Sequence, residues 1–262
     1  MLKKLFAKKN KQENTLTLDE LISQLNSDKM PKHVGIIMDG NGRWATGKGM
    51  IRTSGHKAGV KTLKSIVRMC LNINVPVLTV YAFSTENWKR PLTEVDFLMK
   101  LFSSFLAEQI NEMCEDGIRV KFIGRIDELP GTLPAEFHAA EERTKDNTKL
   151  LFNVAVNYGG RDEILTAVQK IASQVKAGSL QIEDINEQVF EDNLYTKGVP
   201  PVDLMIRTSG DLRLSNFLLW QAAYAEFWFT HTNWPDFSQA EFVKAIIDFQ
   251  HRDRRFGGLK NK

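Results

Sequence analysis

Short apolar runs near residues 33–38, 77–83, 118–123, 150–156, 203–206 and 225–229 have the length and composition of β-strands. Between most of them the apolar positions fall three and four residues apart. Val60, Leu63, Val67 and Cys70 share one face of a helix predicted over about 57–73. Ser238, with Glu241 three residues on, is a capping box, and it opens a helix whose Phe242, Ile246 and Phe249 face inward. Strand and helix alternate through most of the chain, which predicts one α/β domain around a parallel-rich sheet. Pro200-Pro201 reads as a turn before a short strand, not as a linker between domains.

One predicted helix breaks the pattern of a single apolar stripe. From Thr93 to about Glu115 its apolar positions include Phe97, Leu98, Leu101, Phe102, Phe105, Leu106, Ile110 and Met113, interrupted by the small Ser103, Ser104 and Ala107. A helix packed on two sides has this composition. So does one wall of an apolar cavity, because a tunnel and a core are lined by the same residue types.

Composition changes the picture only a little. The chain has 262 residues, 42% hydrophobic and 26% charged, which suits a globular protein with a full core. A net charge of +3 is too small to indicate a nucleic-acid partner. Cys70 and Cys114 lack metal-type spacing and fit a reduced, cytoplasmic setting. No run approaches the ~20 apolar residues that span a bilayer. The basic start, Met1 to Lys9, is too poor in apolar residues for a signal peptide. It reads as a solvated tail, with weak contact to anionic lipid as the alternative.

The chemistry gathers where strands end. The first run closes on Asp39-Gly40-Asn41-Gly42-Arg43-Trp44, continuing to Arg52 and His56 ahead of the predicted helix. The second leads into Ser84-Thr85-Glu86-Asn87-Trp88-Lys89-Arg90-Pro91, and the fourth into Asn157-Tyr158-Gly159-Gly160-Arg161. The fifth gives Arg207-Thr208-Ser209-Gly210-Asp211-Leu212-Arg213-Leu214-Ser215-Asn216. In a parallel sheet ligands sit at the carboxyl ends of the strands. There an acid can hold a hard cation, while glycine N–H groups and guanidinium groups hold phosphate oxygens. A lone loop arginine is ordinarily solvated or paired. Arg43, Arg52, Arg90, Arg207 and Arg213 converging on one edge call for a compensating anion, and a diphosphate matches their bidentate geometry. Glu226, inside an apolar run, needs a cation or an arginine beside it.

Other readings compete for the same residues. Gly40 to Ala45 formally fits the dinucleotide pattern G-x-G-x-x-[GA]. That fingerprint should open a helix directly and place an acid ~20 residues on. Gly47 and Gly49 predict an irregular loop instead, and 57–64 contains no acid. A P-loop is excluded, since G-x-x-x-x-G-K-[ST] is absent. Asp39 as a phosphatase nucleophile lacks a completing acid–base set, because Asn41 stands where a second acid would help.

The four motifs, together with Arg254-Arg255-Phe256-Gly257, resemble those of cis-prenyltransferases, and within them the bacterial undecaprenyl diphosphate synthase type. The resemblance spans residues 31–258, leaving 1–30 as a basic tail and leading helix. It implies a mostly parallel six-stranded sheet surrounded by helices, with a tunnel for the product, acting as a cytoplasmic homodimer. The implied reaction is Mg2+-dependent condensation of isopentenyl diphosphate onto farnesyl diphosphate, with peripheral membrane contact as a route for product release. Asp39 would hold Mg2+ with Glu226 completing its shell, and Gly40, Asn41, Gly42, Arg43, Arg52 and His56 would cradle the allylic diphosphate. Trp44, Phe83 and Trp88 would flank the prenyl chain. Asn87 is the family's proton acceptor, although a neutral amide is a poor base and a diphosphate oxygen competes for that role. Ser84, Thr85, Glu86 and Arg90 would add substrate contacts, and Arg207, Arg213, Leu214 and Ser215 would hold isopentenyl diphosphate. Arg255 to Gly257 would lie near the partner's site.

In two places the chain departs from the family pattern. Asp211 replaces the more usual glutamate, and Leu212 stands where some members carry histidine. A nucleotide-binding oxidoreductase and a non-catalytic subunit remain as alternatives. Retention of Asp39, Asn87, Arg207, Arg213 and Glu226 favours an active enzyme.

Overall fold

The computed structural model describes residues 16–254. Strands β1 (His33–Ile37), β2 (Val77–Ser84), β3 (Ile118–Ile123), β4 (Leu150–Tyr158), β5 (Leu204–Arg207) and β6 (Glu226–Phe229) form one sheet. Their order is β3-β4-β2-β1-β5-β6, and every neighbouring pair is parallel. Each apolar run predicted as a strand is one. The helices are α1 (Leu18–Ile22), α2 (Asn41–Gly47), α3 (Arg52–Asn72), α4 (Leu92–Glu115), α5 (Leu133–Thr144), α6 (Gly160–Lys176), α7 (Glu187–Glu191) and α8 (Gln239–His251).

Alternation along the strands sends successive side chains to opposite faces. Val34, Ile36, Leu78, Val80, Phe152 and Ile206 join the larger core with Ile66 of α3, Leu98 of α4, Phe137 of α5 and Phe242 of α8. Ile37, Tyr158 and Met205 belong to a smaller core with Phe217, and the Tyr158 hydroxyl ties it to α6 through Glu163. The leading helix is no separate unit. Leu21 of α1 is buried in the larger core, and Gln250 of α8 donates to the Asn26 carbonyl at 2.9 Å. The capping box at Ser238 forms as predicted.

The exposed edge of β3 is closed by side chains. Val120 N–H donates to Thr144 Oγ1 at 3.0 Å and Phe122 N–H to Glu141 Oε1 at 2.7 Å, so α5 satisfies donors that would otherwise invite another strand. No helix among the described residues is long and apolar enough to cross a membrane.

Two local expectations fail. The segment after Gly40 is the helix α2, not an irregular loop, and Arg52 and His56 lie inside α3, not ahead of it. Tertiary packing overrides the glycine-rich composition: Ala45 is fully buried, and a side chain on Gly55 would strike the Asn41 carbonyl oxygen at 1.9 Å. The two helices therefore pack almost backbone to backbone. The helix-opening half of the dinucleotide fingerprint is thus present in form. Its missing ribose acid still counts against it.

Candidate active site

The connection from β1 runs towards β2 and that from β5 towards β6, on opposite sides. The switch point of the sheet therefore lies between β1 and β5. Asp39 leaves β1 there and Arg207 ends β5. Gly40 makes the turn possible: its φ is +96°, and a Cβ would meet Asn233 Oδ1 at 2.3 Å and Ser209 Oγ at 2.6 Å.

Two acid-centred clusters organise the arginines. In the first, Asp39 Oδ2 accepts from Arg207 Nη2 at 2.9 Å and lies 3.1 Å from Arg43 Nη2, while Oδ1 accepts from Gly40 N–H at 2.7 Å. Asp211 accepts from Arg43 at 2.9 Å on one oxygen and from Arg213 at 2.9 Å on the other. Burial would raise the Asp211 pKa, but these two guanidinium groups outweigh it and hold the carboxyl below its ordinary range. The aspartate standing for the family's glutamate is thus fully engaged. Arg207, 3% exposed, also donates to the Arg213 carbonyl and to Ser215 Oγ, leaving its buried Nε without a partner.

The second cluster surrounds Glu94, which the sequence did not single out. It is buried in the first turn of α4, with Arg90 Nη1 at 3.0 Å and Arg52 Nε and His56 Nε2 each at 3.3 Å. Burial pushes Glu94 upward, and Arg90, His56 and Arg52 more than reverse this, so its pKa ends below the usual value. His56 is lowered chiefly by burial, against the pull of Glu94.

Behind both clusters lies a cavity of about 780 Å³. Asp39, Arg43, Arg52, His56, Arg90, Arg207 and Arg213 line its polar mouth, with Gly40, Asn41, Gly42, Ser84, Glu86, Asn87 and Ser215. Leu98, Leu101, Phe102, Phe105, Leu106 and Met113 of α4 form one wall, facing Val60 and Leu63 of α3. The deep end is closed by Val120, Phe122, Phe137 and Phe152, with Phe122 stacked on Phe137 at 3.9 Å. The unusual helix is a cavity wall.

Five predicted residues stand elsewhere. Trp44 turns outward to donate to Asp236 Oδ1 at 2.7 Å, with Lys48 over its ring, and does not line the cavity. Trp88 donates to Asn157 Oδ1 at 2.8 Å and packs edge to face with Phe83, which does line the cavity. Thr85 faces Gly159, and Leu214 packs into the smaller core. Glu226 opens β6 beside Leu204, at the amino edge of the sheet, and pairs with Arg252 at 3.0 Å. The strand register sets it three residues, or ~10 Å, below the edge where Asp39 stands, so one chain cannot place both on one cation. Arg255, Phe256 and Gly257 lie outside the described residues.

Among the described residues no group of three or more His, Cys, Asp or Glu converges as a metal cage. Magnesium does not need one, because it is commonly held by one or two carboxylates together with substrate phosphates. Asp39 fits that pattern. Five arginines (Arg43, Arg52, Arg90, Arg207, Arg213) here meet four carboxylates (Asp39, Glu86, Glu94, Asp211), so the mouth carries little surplus charge. A diphosphate enters such a mouth best with a divalent cation of its own.

Known proteins resemble this chain in sequence and fold. Residues 37–257 match the prenyltransferase family model described as undecaprenyl diphosphate synthase. An isoprenyl transferase of Clostridium perfringens is 52% identical over 97% of this chain and 98% of its own. One from Heliobacterium mobile is 50% identical over 92% of each. The crystal structure of lavandulyl diphosphate synthase from Lavandula x intermedia, in complex with dimethylallyl diphosphate, superposes with a TM-score of 0.85 at 38% identity, covering 88% of this chain and 99% of that one. By the family match over residues 37–257 and the identity to isoprenyl transferases over most of its length, the chain belongs to the undecaprenyl diphosphate synthase family of cis-prenyltransferases and is a prenyl-transferring enzyme.

Proposed function

We propose that the enzyme adds isopentenyl diphosphate repeatedly, with cis double bonds, to farnesyl diphosphate, giving undecaprenyl diphosphate, the lipid-carrier precursor of cell-wall polysaccharide. One observation carries this reading: the arginine–carboxylate mouth opens directly into the apolar cavity, so a diphosphate head and a growing hydrocarbon tail find matching surroundings. The allylic diphosphate lies on Asp39, the Gly40 to Arg43 turn, Arg52 and His56. Isopentenyl diphosphate lies on Arg207, Arg213 and Ser215.

Asp39 would hold Mg2+, which when bound with the diphosphate would supply electrostatic stabilisation of the leaving group. Arg43 and the backbone of the turn hold the oxygens on which charge builds as the allylic C–O bond ionises. Its electron pair departs with diphosphate. The terminal carbon of the isopentenyl double bond then joins the allylic carbon, and loss of a proton from the neighbouring methylene sets the new double bond. Asn87 Oδ1 already accepts from Ser84 N–H at 3.2 Å, so Asn87 orients the substrate and a diphosphate oxygen takes the proton. The lengthened tail moves down the wall formed by α4.

The enzyme acts in the cytoplasm as a homodimer with peripheral membrane contact. Supporting association, the short edge strand β6 ends in the exposed Phe229. Purified enzyme given farnesyl diphosphate, radiolabelled isopentenyl diphosphate and Mg2+ should form a butanol-extractable C55 product, abolished by a chelator and restored by Mg2+. Absence of elongation under these conditions removes the assignment. Light scattering should return twice the 29.8 kDa chain mass.

A further inference from the structure

The third strand-end motif, Asn157 to Arg161, contributes nothing to the cavity lining, yet it is built around one residue of the fourth. Asn216 sits at φ +66°, between Ser215 at +50° and Leu218 at +46°. Three left-handed non-glycine residues within four positions, one of them a leucine, form strained backbone that its surroundings must hold in place.

The holding contacts are specific. Gly160 N–H donates to the Asn216 carbonyl at 2.7 Å, Arg161 N–H donates to Asn216 Oδ1 at 2.8 Å, and Asn216 Nδ2 donates to Glu86 Oε1 at 3.0 Å. The N-cap of α6 is Gly159, which offers no side-chain acceptor, so Asn216 caps that helix from 55 positions away along the chain. The paired glycines make the room. A Cβ on Gly159 would lie 2.7 Å from Asn216 Nδ2 and 2.8 Å from Thr85 Oγ1, and one on Gly160 would lie 2.8 Å from Leu219 Cγ. At its other end the turn is gripped by Arg207, through the Arg213 carbonyl and Ser215 Oγ.

We propose that Asn216 is a positioning residue for the second diphosphate: it locks the strained 213–218 turn onto the start of α6 and onto Glu86, so that Arg213 and Ser215 face the mouth. This rests on the assignment of isopentenyl diphosphate to Arg207, Arg213 and Ser215. The third motif is then a socket for Asn216.

Steady-state kinetics on three variants test it. Asn216→Gly keeps the left-handed backbone and deletes the side-chain bonds. Gly159→Ala, at an ordinary φ of −153°, displaces the Asn216 amide, which reaches the mouth, from a position that does not itself line the cavity. Arg213→Ala controls for the underlying assignment. Both positioning variants should raise KM for isopentenyl diphosphate about tenfold, the effect of one lost hydrogen bond to a charged group, with KM for farnesyl diphosphate within about twofold of wild type. Unchanged constants, or both constants rising together with a lower Tm, overturn the proposal. A rise in Asn216→Gly alone assigns direct contact and also overturns it. If Arg213→Ala leaves KM for isopentenyl diphosphate unmoved, the assignment fails and this inference falls with it.

Discussion

Arg207 Nη2 stands 2.9 Å from Asp39 Oδ2 across the switch point of the sheet, so the proposed cation ligand and the proposed anion ligand are each other's counterion in the free protein. Substrate binding must therefore exchange partners. On the proposed assignment Asp39 would exchange Arg207 for Mg2+ while Arg207 would turn to a diphosphate, and neither charge would be left bare.

Asp39→Asn keeps the shape and removes the charge. With cation stabilisation of the leaving group lost, kcat should fall about a thousandfold, ~4 kcal/mol of barrier. Arg207 keeps Ser215 and, at 3.7 Å, Asp211, so the fold should survive, as circular dichroism would show. Turnover within tenfold of wild type would remove Asp39 from the cation site.

Glu94→Gln should act in two opposite directions. Its side chain is 9% exposed, and its loss leaves Arg52, His56 and Arg90 without their shared acid. Because Arg52 is 55% exposed, solvent screens part of the repulsion, and a loss of about 1–3 kcal/mol is expected by chemical denaturation. The mouth meanwhile becomes more positive. Inorganic pyrophosphate should then raise Tm more in the variant than in wild type, a difference read directly by scanning calorimetry. An equal or smaller rise would show that Glu94 does not compete with the anion.

The fold was legible because a parallel sheet buries both faces, which leaves continuous apolar runs at β1, β2 and β4. Asp39 and Arg207 were legible because both follow such a run. The sequence sets Glu226 inside the run 225–229, whereas the strand starts on it, and an acid at the start of a parallel strand lies on the opposite edge. Glu94 was hidden because an acid in the first turn of a helix ordinarily faces water, and only the fold brings Arg52 from α3 beside it. Trp44 was misplaced with its backbone, since the helix α2 carries its indole towards Asp236.

The deep end of the cavity predicts opposite product shifts from two substitutions on one strand. Val120 lies two residues below Phe122 on β3, hence ~7 Å farther from the mouth. Phe122→Leu opens the stack on Phe137 and should lengthen the product by at least one five-carbon unit, at a stability cost of about 1 kcal/mol. Val120→Phe fills the floor and should shorten it. Reversed-phase chromatography of the dephosphorylated products reads both, and a C55 distribution unchanged in both variants would place the stop elsewhere.

His33, at the start of β1, sets the acid limit of stability. Its ring is fully buried: Nδ1–H donates to the Pro200 carbonyl at 2.8 Å, and Nε2 accepts from the Thr79 hydroxyl at 2.7 Å, which in turn accepts from Asn153. A carbonyl can only accept, so this chain fixes the neutral Nδ1–H form. Burial is the main cause that lowers the His33 pKa from 6.5 to about 4, outweighing the Pro200 carbonyl and the charge of Asp203. Because the unfolded chain takes up the proton first, the contribution of His33 to stability is complete above pH 6.5 and is lost as pH falls from there to about 4. At ~1.4 kcal/mol per unit the loss is roughly 3 kcal/mol. His33→Gln cannot be protonated, so urea midpoints measured between pH 7 and pH 4.5 should fall more steeply for wild type than for that variant. Parallel slopes would mean that folded and unfolded His33 take up the proton equally, against a buried ring whose Nε2 accepts from Thr79.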